Sequence, residues 1–426
     1  MKKKLMVVLI IASAALRAEA QIDTAFNKKQ VGFAEYLQAV AKYHPGYIAE
    51  KLNVSVADAA VEAAAVFPDP ELSMSVNDNG QRRMRMGYGV STGLAYTIET
   101  GGKRKARIDL AKSNLTVSKA LLENYFRNLR ADATICFLQA LKEGNAFDIR
   151  LHSWMNMQGI AEADSIRHQL GQLSEVDARQ SRLEAGSMLN ELYASEAGWK
   201  NALVQLAQMT GRQPKDTLWF PSGDLELQQQ VFDLDALITR AMENRADLVA
   251  ALSNKHVAAS ALALVKANRK TDIGLNIGVT NTSVVSNVVA PTPSTTSVTA
   301  GISIPLKFSN RNMGELRAAG YAIQQATAQY DQIQLQIRTE VMAALNSYVA
   351  AQKQVAGFKP ALLADAARVL EGKTYSYRRG ETSLLELLNA QRTYNDVQLN
   401  YAEALYNCAA ARVELERVTG NWNIQF

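Results

Sequence analysis

The side chains able to do chemistry in this chain are few and scattered. Among 426 residues there are four His and two Cys. Cys136 and Cys408 each fall on an apolar seam position of a helical pattern. That placement favours two buried thiols over a disulfide, although an oxidising compartment would allow the pair to join. No Cys–His cluster is present, so a structural zinc site is not expected. His152 with Met155 and Met157 supplies the atoms of a soft-metal contact. Ordinary Met packing on a helix explains the same spacing and is the preferred reading. Asp and Glu are plentiful, but on seven-residue patterns they make solvated faces. There is no nucleophile elbow, no phosphate loop and no metal-ligand spacing. The sequence therefore predicts no enzyme and no cofactor. Two short acidic constellations do have a definite local chemistry. One is Gly171-Gln172-Leu173-Ser174-Glu175-Val176-Asp177, the other Gly380-Glu381-Thr382-Ser383-Leu384-Leu385-Glu386. In each, Ser stands three residues before a carboxylate. This is the capping-box pattern, with Ser accepting from first-turn amides and the acid reaching back. Helices are expected to begin near Ser174 and Ser383, immediately after a Gly-led turn.

The elements that must carry these turns are long. Pro numbers only 9 and Gly only 24, so the chain has little punctuation. Between Gly102 and Gln169 there is no Pro, and the only internal glycines are Gly144 and Gly159. At 1.5 Å per residue that helix runs on the order of 100 Å. The stretch from Asn310 to about Tyr377 is comparable, with Pro360 placed to kink it. Such rods do not fold into a ball.

The chain repeats its plan. Leu387, Ala390, Tyr394, Val397, Tyr401, Ala404, Cys408, Ala411, Leu415 and Val418 alternate three and four apart, the seam of helices packed knobs-into-holes. Moved back by 209 residues, the seam falls on Ala178, Ser181, Ala185, Met188, Leu192, Ser195, Trp199, Ala202, Leu206 and Met209, and Thr419-Gly420 falls on Thr210-Gly211. At an offset of 208, Ile108, Ala111, Leu115, Ser118, Leu122, Tyr125 and Leu129 match Leu316, Ala319, Ile323, Ala326, Tyr330, Ile333 and Ile337. Coiled coils align by chance, but the non-helical segments recur in the same order too, which heptads do not require.

Those segments include two strand pairs. Leu72, Met74 and Val76 alternate with Ser73, Ser75 and Asn77; Met86 to Tyr96 alternates with Gly87, Gly89, Ser91, Gly93 and Ala95. In the second half, Ile273 to Val279 alternates with Gly274, Asn276 and Gly278, and Val298 to Ile304 with Thr299, Gly301 and Ser303. This is period two, with large apolar side chains on one face and small or polar ones on the other. Lipid outside and a watery lumen inside suit such strands better than a sandwich core. Four strands cannot close a channel, so several subunits must share one barrel.

The N-terminus reads as a secretory signal over residues 1–20: Lys2, Lys3 and Lys4, the apolar run Leu5 to Leu16, then Ala18-Glu19-Ala20. No Cys follows to carry a lipid anchor. The formal charge is +5. The signal holds four cations and one anion, a net +3, leaving +2 for the rest. That balance argues against nucleic acid as a partner.

Taken together, these features resemble the TolC-like outer-membrane factor family over roughly Phe33 to Gly420. The carrying residues are Gly93-Leu94-Ala95-Tyr96-Thr97-Ile98-Glu99-Thr100-Gly101-Gly102-Lys103-Arg104, Gly301-Ile302-Ser303-Ile304-Pro305-Leu306-Lys307-Phe308, the two capped turns, and the helix start Asn244-Arg245-Ala246-Asp247-Leu248. The resemblance implies a mainly α fold with β: a helical barrel of long coiled coils plus four transmembrane strands per subunit, in two internal repeats. It implies a homotrimer sharing a 12-stranded barrel in outer-membrane lipid, with a hollow tube in the periplasm. A first repeat over 21–212, an equatorial segment over 213–232, a second repeat over 233–420 and a tail over 421–426 are expected. The role implied is a passive conduit of a tripartite efflux system. A periplasmic adaptor (a membrane fusion protein) and, through it, an inner-membrane pump would be the partners. Glu99-Thr100-Gly101-Gly102-Lys103-Arg104 looks like the cobalt-zinc-cadmium resistance branch, so heavy-metal cations or small toxic compounds are the expected cargo. Drug efflux or type I protein secretion are the alternatives within the class, and a secreted coiled-coil adhesin outside it. By the resemblance, Gly171, Leu173, Ser174, Asp177, Gly380, Thr382, Ser383 and Glu386 dock the adaptor. Asp177 and Glu386 ring the entrance, with Asn389 where a second acid is often found.

Overall fold

The computed structural model describes residues 27–78, 85–212, 217–226, 230–306, 313–358 and 360–424. The signal segment and the Lys307-Phe308 end of the second strand-to-helix passage lie outside these residues, as does Asn310. The chain starts with strand β1 (Asn27–Gly32) and helices α1 (Phe33–Tyr43) and α2 (Pro45–Ala64). Strands β2 (Glu71–Asp78) and β3 (Tyr88–Ile98) follow, then α3 (Lys103–Gln169) and α4 (Glu175–Met209). After β4 (Thr217–Ser222) the order returns: α5 (Leu234–Asn244), α6 (Ala246–Asn268), β5 (Ile273–Thr282) and β6 (Thr295–Ser303). The chain then runs through α7 (Met313–Gly357), α8 (Pro360–Arg378) and α9 (Leu384–Thr419).

The 67-residue α3 is continuous. Its counterpart is broken where Pro360 was expected only to bend it. Pro has no N–H to give and clashes with the preceding turn, so the rod stops at Gly357 and restarts with Pro360 at the first helical position. Both long hairpins bury the seams read from the sequence. Ala178, Ser181, Ala185, Met188, Leu192, Ser195, Ala202 and Leu206 are buried on α4, and Leu387, Ala390, Ala404, Leu415 and Val418 on α9. Three apolar clusters hold the rods. One joins Tyr36 of α1 to Phe137, Leu138, Leu203, Leu206 and Trp219. A second joins Leu237 and Ala241 of α5 to Ile337, Val341, Tyr348, Leu415 and Val418. A third lies near the far turns. Full burial of a side chain such as Ile337 or Leu206 stabilises by about 2 kcal/mol.

The sequence did not announce one element pair. β1 and β4 form a two-stranded parallel sheet, Lys29 opposite Trp219 and Val31 opposite Pro221. The two strands lie nearly 200 residues apart, and no local alternation marks either. The thiols also differ from expectation. Cys136 and Cys408 are free, as read, but only partly buried; burial still pushes both pKa values up, with Asp132 adding to the effect at Cys136. Met157 is buried whereas Met155 is 56% exposed. They face different ways, so the two thioethers do not share one face of the helix.

Candidate functional site: strand wall, joints and helical tips

Strands β2, β3, β5 and β6 form one antiparallel sheet in the order β2-β3-β5-β6. Its register puts the apolar positions in rows: Leu72, Leu94, Ile277 and Ala300; Met74, Thr92, Val279 and Val298; Tyr96, Leu275 and Ile302. Side chains in such rows share one face. This face has no cover. Leu72, Met74, Val76, Val298 and Ile302 are about 70% exposed, between 69% and 72%. Tyr88 and Tyr96 stand near its two ends, where interfacial aromatics belong in a membrane strand. Strand lengths of 8 to 11 residues fit a tilted membrane span. Among the described residues, β2 and β6 pair on one side only, so one chain makes an open sheet and not a closed barrel. The observed strands differ slightly from those read. β3 begins at Tyr88 and not Met86, because Arg85 and Gly87 take positive φ and break the extended run. β5 continues through Asn281 to Thr282, where polar residues hid the pattern.

The joint between β3 and α3 is a built lock. Gly101 and Gly102 both have positive φ, 69° and 73°, a conformation only Gly adopts without cost. Asp272, just before β5, accepts from the Thr100 amide at 3.0 Å and pairs with Lys103 Nζ at 2.5 Å. Glu99 and Arg107 form an ion pair, and Arg104 donates to the Ala65 carbonyl at 2.6 Å while lying over the Phe67 ring. Each polar residue of Glu99-Thr100-Gly101-Gly102-Lys103-Arg104 thus has a structural partner that fixes how the sheet meets the rods.

The far ends of the rods are two near-identical turns. After α3, Gly171 has φ 70°, its amide reaches His168 O at 2.9 Å, and the Gln172 amide reaches Arg167 O at 2.8 Å. After α8, Gly380 has φ 79°, its amide reaches Tyr377 O at 2.9 Å, and the Glu381 amide reaches Ser376 O at 2.9 Å. Both are Schellman closures with Gly in the left-handed position. Ser174 and Ser383 then cap the next helices, accepting from the Asp177 and Glu386 amides at 3.1 and 3.3 Å. The acids do not complete the box as expected. Asp177 takes the Ser174 hydroxyl at 2.7 Å. Glu386 takes the Thr382 hydroxyl at 2.7 Å and Lys373 at 2.6 Å. Lys373, helped by Thr382, holds the Glu386 pKa below the usual carboxylate value. Gly171, Ser174, Gly380, Ser383, Glu386 and Asn389 are exposed, and Leu173, Asp177 and Thr382 half-buried.

The two turns sit side by side. Tyr377 donates to Asp164 at 2.7 Å, and Asp164 is 1% exposed. Arg167 reaches the Tyr377 carbonyl and lies over its ring. Burial, with Asp164 as acceptor, pushes the Tyr377 pKa up. Beneath, Met157, Ile160, Met188, Leu384, Leu387 and Leu388 form the third apolar cluster. Sequence reasoning missed the Tyr377–Asp164 link, which joins the two hairpins and has no local signal. It also missed Leu170, Val176 and Leu385, aliphatic side chains 62–71% exposed beside the turns. Their off-seam positions were the available sign.

The helix start Asn244-Arg245-Ala246-Asp247-Leu248 is an ionic hub. Arg245, 4% exposed, pairs with Asp247 and Glu340 at 2.6 Å each and donates to the Val418 carbonyl at 3.2 Å. Burial alone would raise the pKa of Asp247, but its bonds to Arg245 win and hold it low. Glu340 is also held low against its burial, by the Gln336 amide first and then by Arg245.

Residues 237–421 match the family model described as outer membrane efflux protein. Over 373 residues the chain is 25% identical to the cobalt-zinc-cadmium resistance protein CzcC of Cupriavidus metallidurans, covering 85% of this chain and 84% of that protein. It is 22% identical over 377 residues to the outer membrane efflux protein BepC of Brucella suis, covering 87% and 81%. Among solved structures, the Campylobacter jejuni CmeC outer membrane channel superposes with a TM-score of 0.75 at 14% identity, covering 91% of this chain and 85% of that one. CusC superposes at 0.73 with 18% identity, covering 91% of each.

Proposed function

We propose, from the premise that this chain belongs to the outer membrane efflux protein family, that three copies assemble into the outer-membrane channel of a tripartite efflux system. The chain is an efflux conduit of the outer membrane that extends into the periplasm, and not an enzyme. One observation carries the assembly: an open four-stranded sheet with a bare apolar face and two unpaired edges. Lipid satisfies the face, and β6 of one copy beside β2 of the next satisfies the edges, since a membrane tolerates no open edge. Three copies then give twelve strands. The tips, on the order of 100 Å from the strands, reach the periplasmic adaptor. On this reading Gly171, Leu173, Ser174, Asp177, Gly380, Thr382, Ser383 and Glu386 form its docking surface. Asp177, Glu386 and Asn389 ring the entrance. The Tyr377–Asp164 link holds neighbouring tips together until differential contacts with the adaptor favour a more open arrangement. The relative named for cobalt, zinc and cadmium resistance supports metal ions as cargo. A secreted adhesin rod has no use for the bare-faced sheet.

Outer membranes extracted in detergent should give a heat-modifiable trimer band. Gly171→Trp and Gly380→Glu should keep that band while failing to restore metal tolerance to an efflux-deficient strain. Full restoration by both variants overturns the tip assignment, and a monomeric species overturns the shared barrel.

A further inference from the structure

The sheet face opposite the lipid-facing rows has an unusual chemistry. Its register rows read Ser73, Gly93, Gly278 and Thr299; Ser75, Ser91, Thr280 and Ser297; Thr97, Gly274 and Ser303. Glu71, at the helix end of β2, is its one charged residue among the described residues. Four of the hydroxyl and amide side chains here, Ser73, Asn276, Thr299 and Ser303, lie flat across a glycine of the adjoining strand. A Cβ at Gly93 would stand 3.0 Å from Ser73 Oγ, at Gly278 3.1 Å from Thr299 Oγ1, and at Gly301 2.9 Å from Asn276 Oδ1. Gly274 is covered by Ser303 in the same way. The hydroxyls are also tied down. Ser91 bonds Thr280 at 3.0 Å, and Ser73 and Thr299 donate to the Gly93 and Gly278 carbonyls at 3.3 and 3.4 Å.

We infer that this wall, outward of the Glu71 row, is a flat, charge-neutral lining that does not discriminate hydrated ions by sign, so that any charge preference of the conduit arises at Glu71 or inward of it. The inference rests on the channel reading and refines it. A fixed ring of charges would act over a Debye length of about 8 Å and focus one sign of ion. A lattice of seated, hydrogen-bonded hydroxyls and amides carries no net charge and so projects no long-range field of either sign. Cations, anions and zwitterions of similar size then pass this segment alike.

The test uses full-length protein in intact cells with Cys136→Ala, Cys408→Ala and, because its row lies only two residues inward of Thr299, Glu71→Gln. Single cysteines are placed at Thr295→Cys and Thr299→Cys on the lining face, and at Val298→Cys on the apolar face. The two lining positions are four residues apart along β6, roughly 13 Å and so beyond one Debye length. Each is reacted from outside with a cationic and an anionic methanethiosulfonate reagent. The expected result is reaction at both lining positions, none at Val298→Cys, and a cationic-to-anionic rate ratio equal within about twofold at the two depths. Comparing depths cancels the difference in intrinsic reactivity between the two reagents. A ratio that changes about tenfold or more between them overturns the neutral wall and leaves the channel standing. Reaction at Val298→Cys with none at Thr299→Cys overturns the channel reading itself.

Discussion

The two halves of the chain build the same joint with different chemistry. Between α1 and α2 the backbone turns at His44 with φ −62° and ψ 119°; between α5 and α6 it turns at Arg245 with φ −75° and ψ 119°. Against each joint sits the left-handed glycine that ends the returning helix, Gly211 beside the Tyr43 carbonyl and Gly420 beside Asn244. At His44 the ring accepts from the Tyr47 amide and lies near Tyr125, and burial lowers its pKa. At Arg245 a buried cation gathers two carboxylates and a helix-end carbonyl. The backbone device needs only an extended residue and a glycine. What fills it is free to differ, and the second filling binds α6, α7 and α9 together.

The largest effect should therefore separate these joints. Arg245→Met removes the cation and leaves Glu340 and Asp247 half-buried beside an apolar chain. Stranding buried charge costs about 3–5 kcal/mol, although Arg127, 3.6 Å from Asp247, offsets part of it. His44→Ala removes one cap, about 1 kcal/mol. Thermal loss of helical ellipticity in detergent should fall much further for Arg245→Met. Equal losses would mean that the joints are energetically alike.

The tips offer the next contrast. Tyr377→Phe strips a hydroxyl from Asp164, which is 1% exposed, and an unsatisfied buried group costs about 1–3 kcal/mol. Arg167, 3.8 Å from Asp164, remains. Hydrogen exchange should rise at both tips and stay unchanged around Arg245. A uniform rise along the rods would show that the link is not local.

What the sequence made legible follows from periodicity. The seam Ala178 to Met209 and its copy are read because a helix buries every third or fourth residue. The strand faces are read because side chains alternate. Gly171 and Gly380 are read because the left-handed closure has few alternatives to Gly. Illegible were the features set by distant neighbours. Nothing local in Glu340 says that it meets Arg245, ninety-five residues away, or in Asp164 that it meets Tyr377. The Glu99 to Arg104 segment could be matched as a pattern, but its work as a strand-to-helix lock depends on Asp272 across the sheet.

Acid should narrow the gap between the joints. Asp247 and Glu340 have folded pKa values below their ordinary ones. Their contribution is thus fully present above the ordinary carboxylate pKa of about 4 and is lost as pH falls through the depressed folded values. Wild type should lose stability below about pH 4, and the difference between wild type and Arg245→Met should shrink there. His44, with its pKa lowered, works with the same sign at higher pH: it favours the fold when neutral and weakens it as pH falls below its ordinary value of about 6.5. A wild-type-to-variant gap unchanged with pH would mean that Arg245 acts by packing and not by charge.

The smallest effect tests the glycines themselves. Gly171 has open space where a Cβ would go, whereas at Gly420 the Cβ would meet the Asn244 backbone at 3.3 Å. Both share nearly the same φ, 70° and 71°, so the left-handed strain of Ala, about 1–2 kcal/mol, is common to both. Any excess for Gly420→Ala over Gly171→Ala then measures crowding at the second joint alone. Crowding of a few tenths of an ångström against backbone that Arg245 already holds should make Gly420→Ala the more costly, read as the lower melting temperature of the pair. If the order reverses, the joint yields more easily than the exposed turn, and the ionic hub is not the rigid part of the molecule.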